Sequence, residues 1–338
     1  MTRVGVVIPY YQRDAGILRR ALASVAAQDI PDGVTIEVVV VDDASPCPPG
    51  PEVEAVPMPP ATTVTRLAQA NGGPGAARNH GLDHLAEVGC DVVAFLDSDD
   101  EWRPAHLREG LAALALGADL YFCAHVRPGS EDPTGDAEFA RLLSDPPPSA
   151  RVVRRTEDGA VVTTVGARDL LAAYMRAYWS QTSTVMVAQP KVASLRFDTR
   201  LRTAGEDHLF WIELSLSGVT AAISTASNVV CGKGVNIFMS SFDFGSEGVV
   251  RRVGCVLLLW LTVRRRFRQE GIGFDLSERI ARGRQGYSYL FARALLRGQR
   301  PSVALLREVA RLDPLILPLL PLRFLSVLPR RAALSRRW

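Results

Sequence analysis

The feature that most constrains the fold is a series of short apolar runs, each followed by a pattern with helical spacing. The clearest runs are "VGVVIP" near the start, "IEVVVV" and "VVAFL". Runs rich in Val and Ile that are apolar throughout indicate strands covered on both faces. Such strands alternating with helices predict βαβ units. We therefore expect an α/β fold, with a mostly parallel sheet and helices on both faces.

Composition is that of a large folded protein, because 47% of the 338 residues are apolar. A chain of this kind can bury a sizeable core. The five cysteines are scattered, with no CxxC spacing. This pattern favours free thiols in a reducing compartment over a disulfide framework. We expect a cytoplasmic protein.

Charge is divided unevenly along the chain. From Arg251 onward there are 19 arginines against five acidic residues, a net charge of +14. Since the whole chain carries +3, the preceding residues carry −11. A basic, leucine-rich tail on an acidic body predicts contact between the tail and an anionic surface.

Acidic clusters follow two of the predicted strands. Asp42 and Asp43 end the second strand, and "DSDD", residues 97–100, follows "VVAFL". In open α/β sheets, ligands bind beyond the carboxyl ends of the strands. Either cluster alone could be a turn or a helix cap. Two of them together favour a divalent cation, Mn²⁺ or Mg²⁺, shared with a diphosphate, since carboxylates this close repel one another.

Five stretches carry a resemblance to a known family. "VVIPYYQR", "VVVDDAS", "NGGPGAARNHG", "VAFLDSDDEW" and "RTAGEDHLFWIELSLSG" occur in this order. Their order and spacing resemble those of the inverting GT-A glycosyltransferases of family 2. The resemblance implies a GT-A domain over 1–247, with a nucleotide-sugar-binding half at 1–110 and an acceptor-binding half at 111–247. A helical, arginine-rich tail would follow at 248–338.

The resemblance also assigns residues to the donor. It implies a nucleotide-sugar site formed by Pro9, Tyr11, Arg13, Asp43, Asn71, Gly75, Arg78, Asp97 and Ser98. Asp97-Ser98-Asp99 matches the DxD motif, so Asp99 would ligate the metal directly, while Asp97 would meet the ribose or reach the metal through water. Asp100 remains a candidate cap for the next helix. "GGPG" also suits a simple turn before a helix.

An inverting transfer needs a general base for the acceptor hydroxyl. The resemblance implies that Asp207 of "AGEDHLFW" is this base, with Glu206 as the fallback or orienting partner. The same two acids also suit the first turn of a helix. The loop "CGKGVNIF" would lie over the donor, bringing Lys233 towards the diphosphate. The chain lacks the QxxRW motif of processive members, which predicts transfer of one sugar per binding event.

Two further patterns, a histidine pair and the tail, leave alternatives open. His80 and His84 have the spacing of a zinc-binding helix, but no third ligand is evident. The apolar runs of the tail are too short or too broken by proline to span a bilayer, and they suit an interfacial segment on anionic lipid. A basic subdomain packed on the body or an oligomer contact is the alternative. Nucleic acid is not an expected partner, because no recognition module is present.

The sequence thus predicts a metal-assisted glycosyltransferase, peripheral at the inner face of the cell membrane. It would move one sugar from a nucleotide diphosphate sugar, with uridine favoured, to a glycan or lipid-linked acceptor. The alternatives are a sugar nucleotidylyltransferase and a catalytically silent scaffold subunit that binds nucleotide sugars. The sequence leaves the oligomeric state open.

Overall fold

The computed structural model describes residues 1–127, 144–156, 159–232 and 246–327. The chain divides into two compact units. The first comprises Met1–Phe197 and Phe210–Val235, and the second comprises Asp198–Leu209 and Asn236–Trp338. The segment that contains Lys233 lies outside the described residues. The predicted acceptor-binding half, 111–247, and the predicted tail, 248–338, stay predictions.

The first unit is built on one ten-stranded sheet. In chain order its strands are β1 (Thr2–Tyr10), β2 (Val34–Asp42), β3 (Thr62–Ala68), β4 (Val92–Phe95), β5 (Glu101–Trp102), β6 (Leu120–Val126), β7 (Arg151–Arg155), β8 (Val161–Val165), β9 (Met186–Ala188) and β10 (Ala221–Val230). They lie in the order β3-β2-β1-β4-β9-β6-β10-β8-β7, and β5 pairs with β10. The strands β1 to β4 are parallel to one another, whereas β9, β8 and β5 run against their neighbours.

Helices cover both faces of this sheet. Those of the first unit are α1 (Ile17–Ala26), α2 (Gly50–Glu54), α3 (Pro74–Glu87), α4 (His106–Ala115), α5 (Ala167–Tyr174) and α6 (Gln189–Val192). Successive side chains of β1 point to opposite faces of the sheet, so each face contributes to a separate helix-covered layer. Val6 and Ile8 share a core with Leu22 of α1, while the other face of β1 meets α3, where Gly81 leaves room for Val7. The expected α/β fold is confirmed.

The next helix, α7 (Glu206–Leu216), begins in the second unit and continues in the first. In the described part of the second unit, four more helices follow: α8 (Glu247–Gln269), α9 (Ser277–Leu296), α10 (Val303–Leu312) and α11 (Leu320–Val327). Their buried side chains include Leu257, Tyr287, Leu290 and Val309. Within the described ranges, no helix has the length and the apolar run that a bilayer span requires.

Candidate active site

The loop after β4 carries the first predicted acids, and the structure holds it tightly. The main-chain N–H of Asp97 donates to Ser183 Oγ at 2.9 Å. The carboxylate of Asp100 accepts from Ser183 Oγ at 2.6 Å, from Gln181 Nε2 at 2.7 Å and from the Gly232 N–H at 2.8 Å. Asp100 therefore anchors the loop.

Asp100 is not the cap of the following helix. That helix, α4, begins after Ala105 without a side-chain cap. Burial raises the pKa of the Asp100 carboxyl to about 7, with the neighbouring Asp97 and Asp99 acting in the same direction. Three carboxyl groups thus concentrate negative charge at the end of β4, which is where a cation or donated hydrogen bonds are needed.

Gly232 fixes the other side of the same loop. A Cβ at this position would lie 1.5 Å from the main-chain oxygen of Asp99, so only glycine fits without movement. The N–H of Gly232 is also one of the Asp100 donors. Gly232 thus contacts the loop after β4 at both Asp99 and Asp100, although it is far away in sequence.

Arg78 provides positive charge at this loop. Its Nη2 donates to Asp97 Oδ1 at 2.7 Å, and the guanidinium carbon lies 5.4 Å from the centre of the Phe197 ring. The arginine side chain is almost fully buried, whereas Asp97 is partly open to solvent. Arg78 and Asp97, both assigned to the donor site, are therefore joined by a charge-assisted hydrogen bond.

Asp43 lies buried at the end of β2 and is engaged by the loop before α3. Its carboxylate accepts from Gln69 Nε2 at 2.8 Å, the Gly72 N–H at 2.7 Å and the Gly73 N–H at 2.8 Å. Asn71 Nδ2 donates to the main-chain oxygen of Asp43 at 2.9 Å. These hydrogen bonds are internal to the chain, and they shape the approach to α3.

The remaining predicted donor residues flank these two loops. Pro9 lies in β1 opposite Val41, Tyr11 follows β1 and is half-buried, and Arg13 is exposed. Gly75 is buried in the first turn of α3. Ser98 is buried as well, and its hydroxyl oxygen accepts from Gln12 Nε2 at 3.0 Å.

Gln12 was missed from the sequence, although it links the two loops. Its main-chain N–H donates to Ser45 Oγ at 2.7 Å, and that hydroxyl donates back to the Gln12 carbonyl at 2.8 Å. Together with the Gln12–Ser98 bond, these contacts join the loops after β1, β2 and β4. A glutamine in a polar loop gives no sequence signal for such a role.

Glu206 and Asp207 form the first turn of α7, as the helix-start alternative predicted. Glu206 is buried, and Asp207 Oδ1 accepts from the His208 N–H at 2.7 Å. Gly205 precedes them with φ +88°, a conformation that favours glycine. Acids at this position are stabilised by the helix dipole. Their role as base stays a prediction.

The donor set at the end of β4 fits a hard divalent cation. Asp97 and Asp99 are partly exposed and offer carboxylate oxygens, the ligands that Mg²⁺ and Mn²⁺ prefer. In the part of the chain that the structure describes, no group of three or more His, Cys, Asp or Glu side chains has the arrangement of a metal site. A cation here would need further ligands, such as phosphate oxygens.

The alternative zinc site on α3 finds no support. His80 Nδ1 lies 3.2 Å from Gln69 Oε1, and His84 Nε2 lies 3.7 Å from Glu37 Oε1. Each histidine faces a different polar neighbour.

The five cysteines are free thiols, as predicted.

Known proteins are similar to this chain in sequence and in fold. The family model described as Glycosyl transferase family 2 matches residues 5–161. The succinoglycan biosynthesis protein ExoW of Rhizobium meliloti (strain 1021) is 37% identical over 244 residues, which cover 71% of this chain and 72% of ExoW. ExoO of the same strain, also a succinoglycan biosynthesis protein, is 40% identical over 116 residues, covering 34% of this chain and 30% of ExoO.

A solved structure extends the likeness to the fold. The crystal structure of S. aureus TarS 1-349 in complex with UDP-GlcNAc has a TM-score of 0.54 at 20% identity, covering 87% of this chain and 73% of that chain. The match to ExoW spans most of both proteins. The chain therefore belongs to glycosyl transferase family 2, and it is a glycosyltransferase.

Proposed function

We propose that the protein transfers one sugar per binding event, with inversion, from a nucleotide diphosphate sugar to a growing glycan or a lipid-linked acceptor. The observation that carries this proposal is the braced carboxylate loop after β4, where Asp97, Asp99 and Asp100 converge beside Arg78. The loop lies at the carboxyl end of parallel strands, where open α/β sheets bind their ligands.

The donor is a uridine nucleotide sugar in this proposal. TarS has been crystallised with UDP and with UDP-GlcNAc, and it shares the fold. Pro9, Tyr11, Arg13 and Asp43 would surround the base and ribose, although the Asp43 carboxylate already accepts three N–H groups. The rest of the proposed donor site consists of Ser98, Asn71, Gly75 and Arg78.

Asp99, with Asp97, would hold Mn²⁺ or Mg²⁺ at this site. When bound, such an ion stabilises the charge that develops on the leaving diphosphate. The contribution of the chain is to fix the loop: Ser183 and Gly232 position its backbone, and Asp100 ties them together. The proposed base is Asp207, with Glu206 as its orienting partner.

The acceptor is proposed to belong to an exopolysaccharide pathway at the inner face of the cell membrane. ExoW and ExoO are both succinoglycan biosynthesis proteins. The tail from Arg251 onward carries +14, whereas the rest carries −11. A cytoplasmic enzyme with this asymmetry would present its basic part to an anionic membrane surface.

Calorimetry with UDP tests the donor proposal. The parent protein should bind UDP more tightly with Mn²⁺ than without it, and Asp99→Asn should remove that difference. Asp83→Asn, an exposed acid on α3, is the matched control and should keep it. Equal Mn²⁺ enhancement in Asp99→Asn and the parent would refute a metal role for Asp99.

A second measurement separates transfer from silent binding. Incubation with a panel of nucleotide sugars should release free sugar slowly by donor hydrolysis, because water can replace an acceptor. A protein that binds UDP without any hydrolysis or transfer would instead be the scaffold subunit. Synthesis of a nucleotide sugar from a sugar phosphate would favour the nucleotidylyltransferase.

A further inference from the structure

The second compact unit contains a groove lined by arginines between α8 and α10. It has a volume of about 410 Å³ and is walled by Leu261, Arg264, Arg265, Arg268, Arg311 and Leu312. Arg264, Arg265 and Arg268 fall within two turns of α8, so their side chains share one side of that helix. The groove therefore gathers four positive charges around a space large enough for a small ligand.

The three arginines that α8 contributes to the groove have no acidic side chain to neutralise them in the described part of the chain. Among the described residues, Arg264, Arg265 and Arg268 form no ion pair. Asp313, whose charge acts on Arg264, is itself held by Arg284 through two hydrogen bonds of 2.7 and 2.8 Å. Burial lowers the pKa of Arg264, and repulsion from Arg284 and Arg268 lowers it further. The groove is thus a cationic site with little compensation, and an anion would stabilise it.

Neighbouring arginines of the same unit behave differently. Arg266 lies on α8 but outside the lining, and it pairs with Glu270 at 3.4 Å. Arg282 on α9 likewise pairs with Glu278 at 2.6 Å. Within the groove lining, Arg311 has such a partner, since it contacts Glu308. Within the groove lining, the arginines without an acidic partner among the described residues are therefore those of the α8 wall.

An exposed apolar segment continues directly from one wall of the groove. After Leu312 come Leu315, Leu317, Leu322 and Leu325, each between 51% and 63% exposed. Side chains of this size are usually buried, so a run of exposed leucines marks a contact surface. Leu315 follows Leu312 by three positions, so the first of these leucines lies within about 11 Å of one residue of the groove wall.

We propose that this groove binds the phosphate group of a lipid, while the leucines at 315–325 contact its acyl chains. Guanidinium groups suit phosphate because they offer several N–H donors in a planar fork. Leucines beside arginines suit the boundary between head groups and acyl chains. The proposal deepens the membrane part of the proposed function and rests on it for the source of the phosphate.

Paired variants of the full chain test the groove. Arg265→Gln/Arg268→Gln removes two groove charges, and Arg266→Gln/Arg282→Gln removes two charges elsewhere in the same unit. Both side chains of the first pair are exposed, so thermal melts should be unchanged. Calorimetry with inorganic pyrophosphate should show binding weaker by at least about tenfold in the groove variant, since one lost hydrogen bond between charged groups is alone worth about that much. The matched variant should stay within about twofold of the parent.

Vesicles identify the source of the phosphate. The parent should sediment with phosphatidylcholine vesicles that contain phosphatidylglycerol, and pyrophosphate should release it. The groove variant should remain in the supernatant. Leu322→Asn should weaken vesicle binding but leave pyrophosphate binding unchanged, whereas Leu116→Asn, a similarly exposed leucine of the first unit, should change neither.

Four results would overturn the proposal. The first is that the parent does not bind pyrophosphate, and the second is that the groove and matched variants lose pyrophosphate affinity equally. The third is that the groove variant sediments with vesicles as well as the parent does. The fourth is that the parent binds pyrophosphate but does not bind vesicles. The last would make the groove a site for a soluble phosphate. Failure of the parent to bind UDP would refute the proposed donor, and it would leave the groove result standing.

Discussion

The carboxylate of Asp43 accepts the main-chain N–H of Gly73 at 2.8 Å, which ties the end of β2 to the residue that precedes α3. The same carboxylate also accepts from the Gly72 N–H and from Gln69. One buried acid therefore sets the course of the whole "NGGPG" loop, and the position of Asn71 and Gly75 depends on it.

Asp43→Asn should destabilise the fold. The side-chain amide of asparagine has one acceptor oxygen, and its NH₂ group would face one of the N–H donors that Asp43 now accepts. That donor would lose its partner, which lowers the free energy of unfolding by about 1–3 kcal/mol. Urea unfolding would show the loss as a lower midpoint. Asp42→Asn is the control, because that carboxylate accepts the Ser45 N–H rather than the N–H groups of the "NGGPG" loop. Equal midpoints for the two variants would contradict the anchoring role.

Gly232→Ala should impair the site without a new charge or polar group. The added methyl would meet the Asp99 oxygen at 1.5 Å, so either the DxD loop or the chain at Gly232 must move. A displacement of about 1 Å at a reacting centre can cost about 100-fold in rate. We expect a loss of this order in sugar transfer.

Gly273→Ala is the matched control for that change. Apart from its chain neighbours, no described residue has an atom within 4 Å of the point that its Cβ would occupy, and its φ lies outside the left-handed region. Its transfer rate should match the parent. A Gly232→Ala enzyme with the parental rate and the parental Mn²⁺ dependence would show that the close approach to Asp99 does not matter for catalysis.

The sheet could be predicted well from the sequence, but the hydrogen bonds that hold the loop after β4 could not. Val6, Val39 and Val93 stand in runs that are apolar throughout because both sheet faces are covered, and this pattern is local. The partners of Asp100 are not local: Ser183 and Gly232 lie 83 and 132 residues away along the chain. An acid after a strand predicts a turn, a cap or a ligand equally well, and only the fold decides.

Helix starts were easier to predict because they too depend on neighbouring residues. Glu206 and Asp207 are the acids that the first turn of a helix favours, and α7 begins there. His80 and His84 failed as a zinc pair for the opposite reason. Helical spacing brings them to one side of α3, but the residues they face, Gln69 and Glu37, come from β-strand regions that spacing cannot reveal.

His106 should make the protein sensitive to acid. It is completely buried, stacked on Trp102 with ring centres 4.6 Å apart, and burial lowers its pKa to about 3. An unfolded histidine titrates near 6.5. Because the unfolded chain gains a proton first, stability should fall as the pH drops from about 6.5 towards 3, by about 1.4 kcal/mol per pH unit from this group.

His106→Phe keeps a ring against Trp102 and removes the titration. Denaturant unfolding of parent and variant at several pH values between 7 and 4 would measure the difference in slope. The parent should lose stability more steeply than the variant, while carboxyl groups contribute equally to both. Parallel curves would mean that His106 takes up its proton equally in the folded and the unfolded chain, and would contradict the prediction.

Asp207→Asn should separate binding from chemistry. If Asp207 takes the acceptor proton, the amide keeps the size of the side chain but cannot act as a base, and transfer should slow by about 10²–10⁴. UDP affinity should stay near that of the parent, because the base is not expected to touch the nucleotide. Glu206→Gln is the comparison: as a buried neighbour it should affect thermal stability more than Asp207→Asn does. A collapse of UDP affinity with turnover intact at saturating donor would make Asp207 a binding residue and pass the base to Glu206.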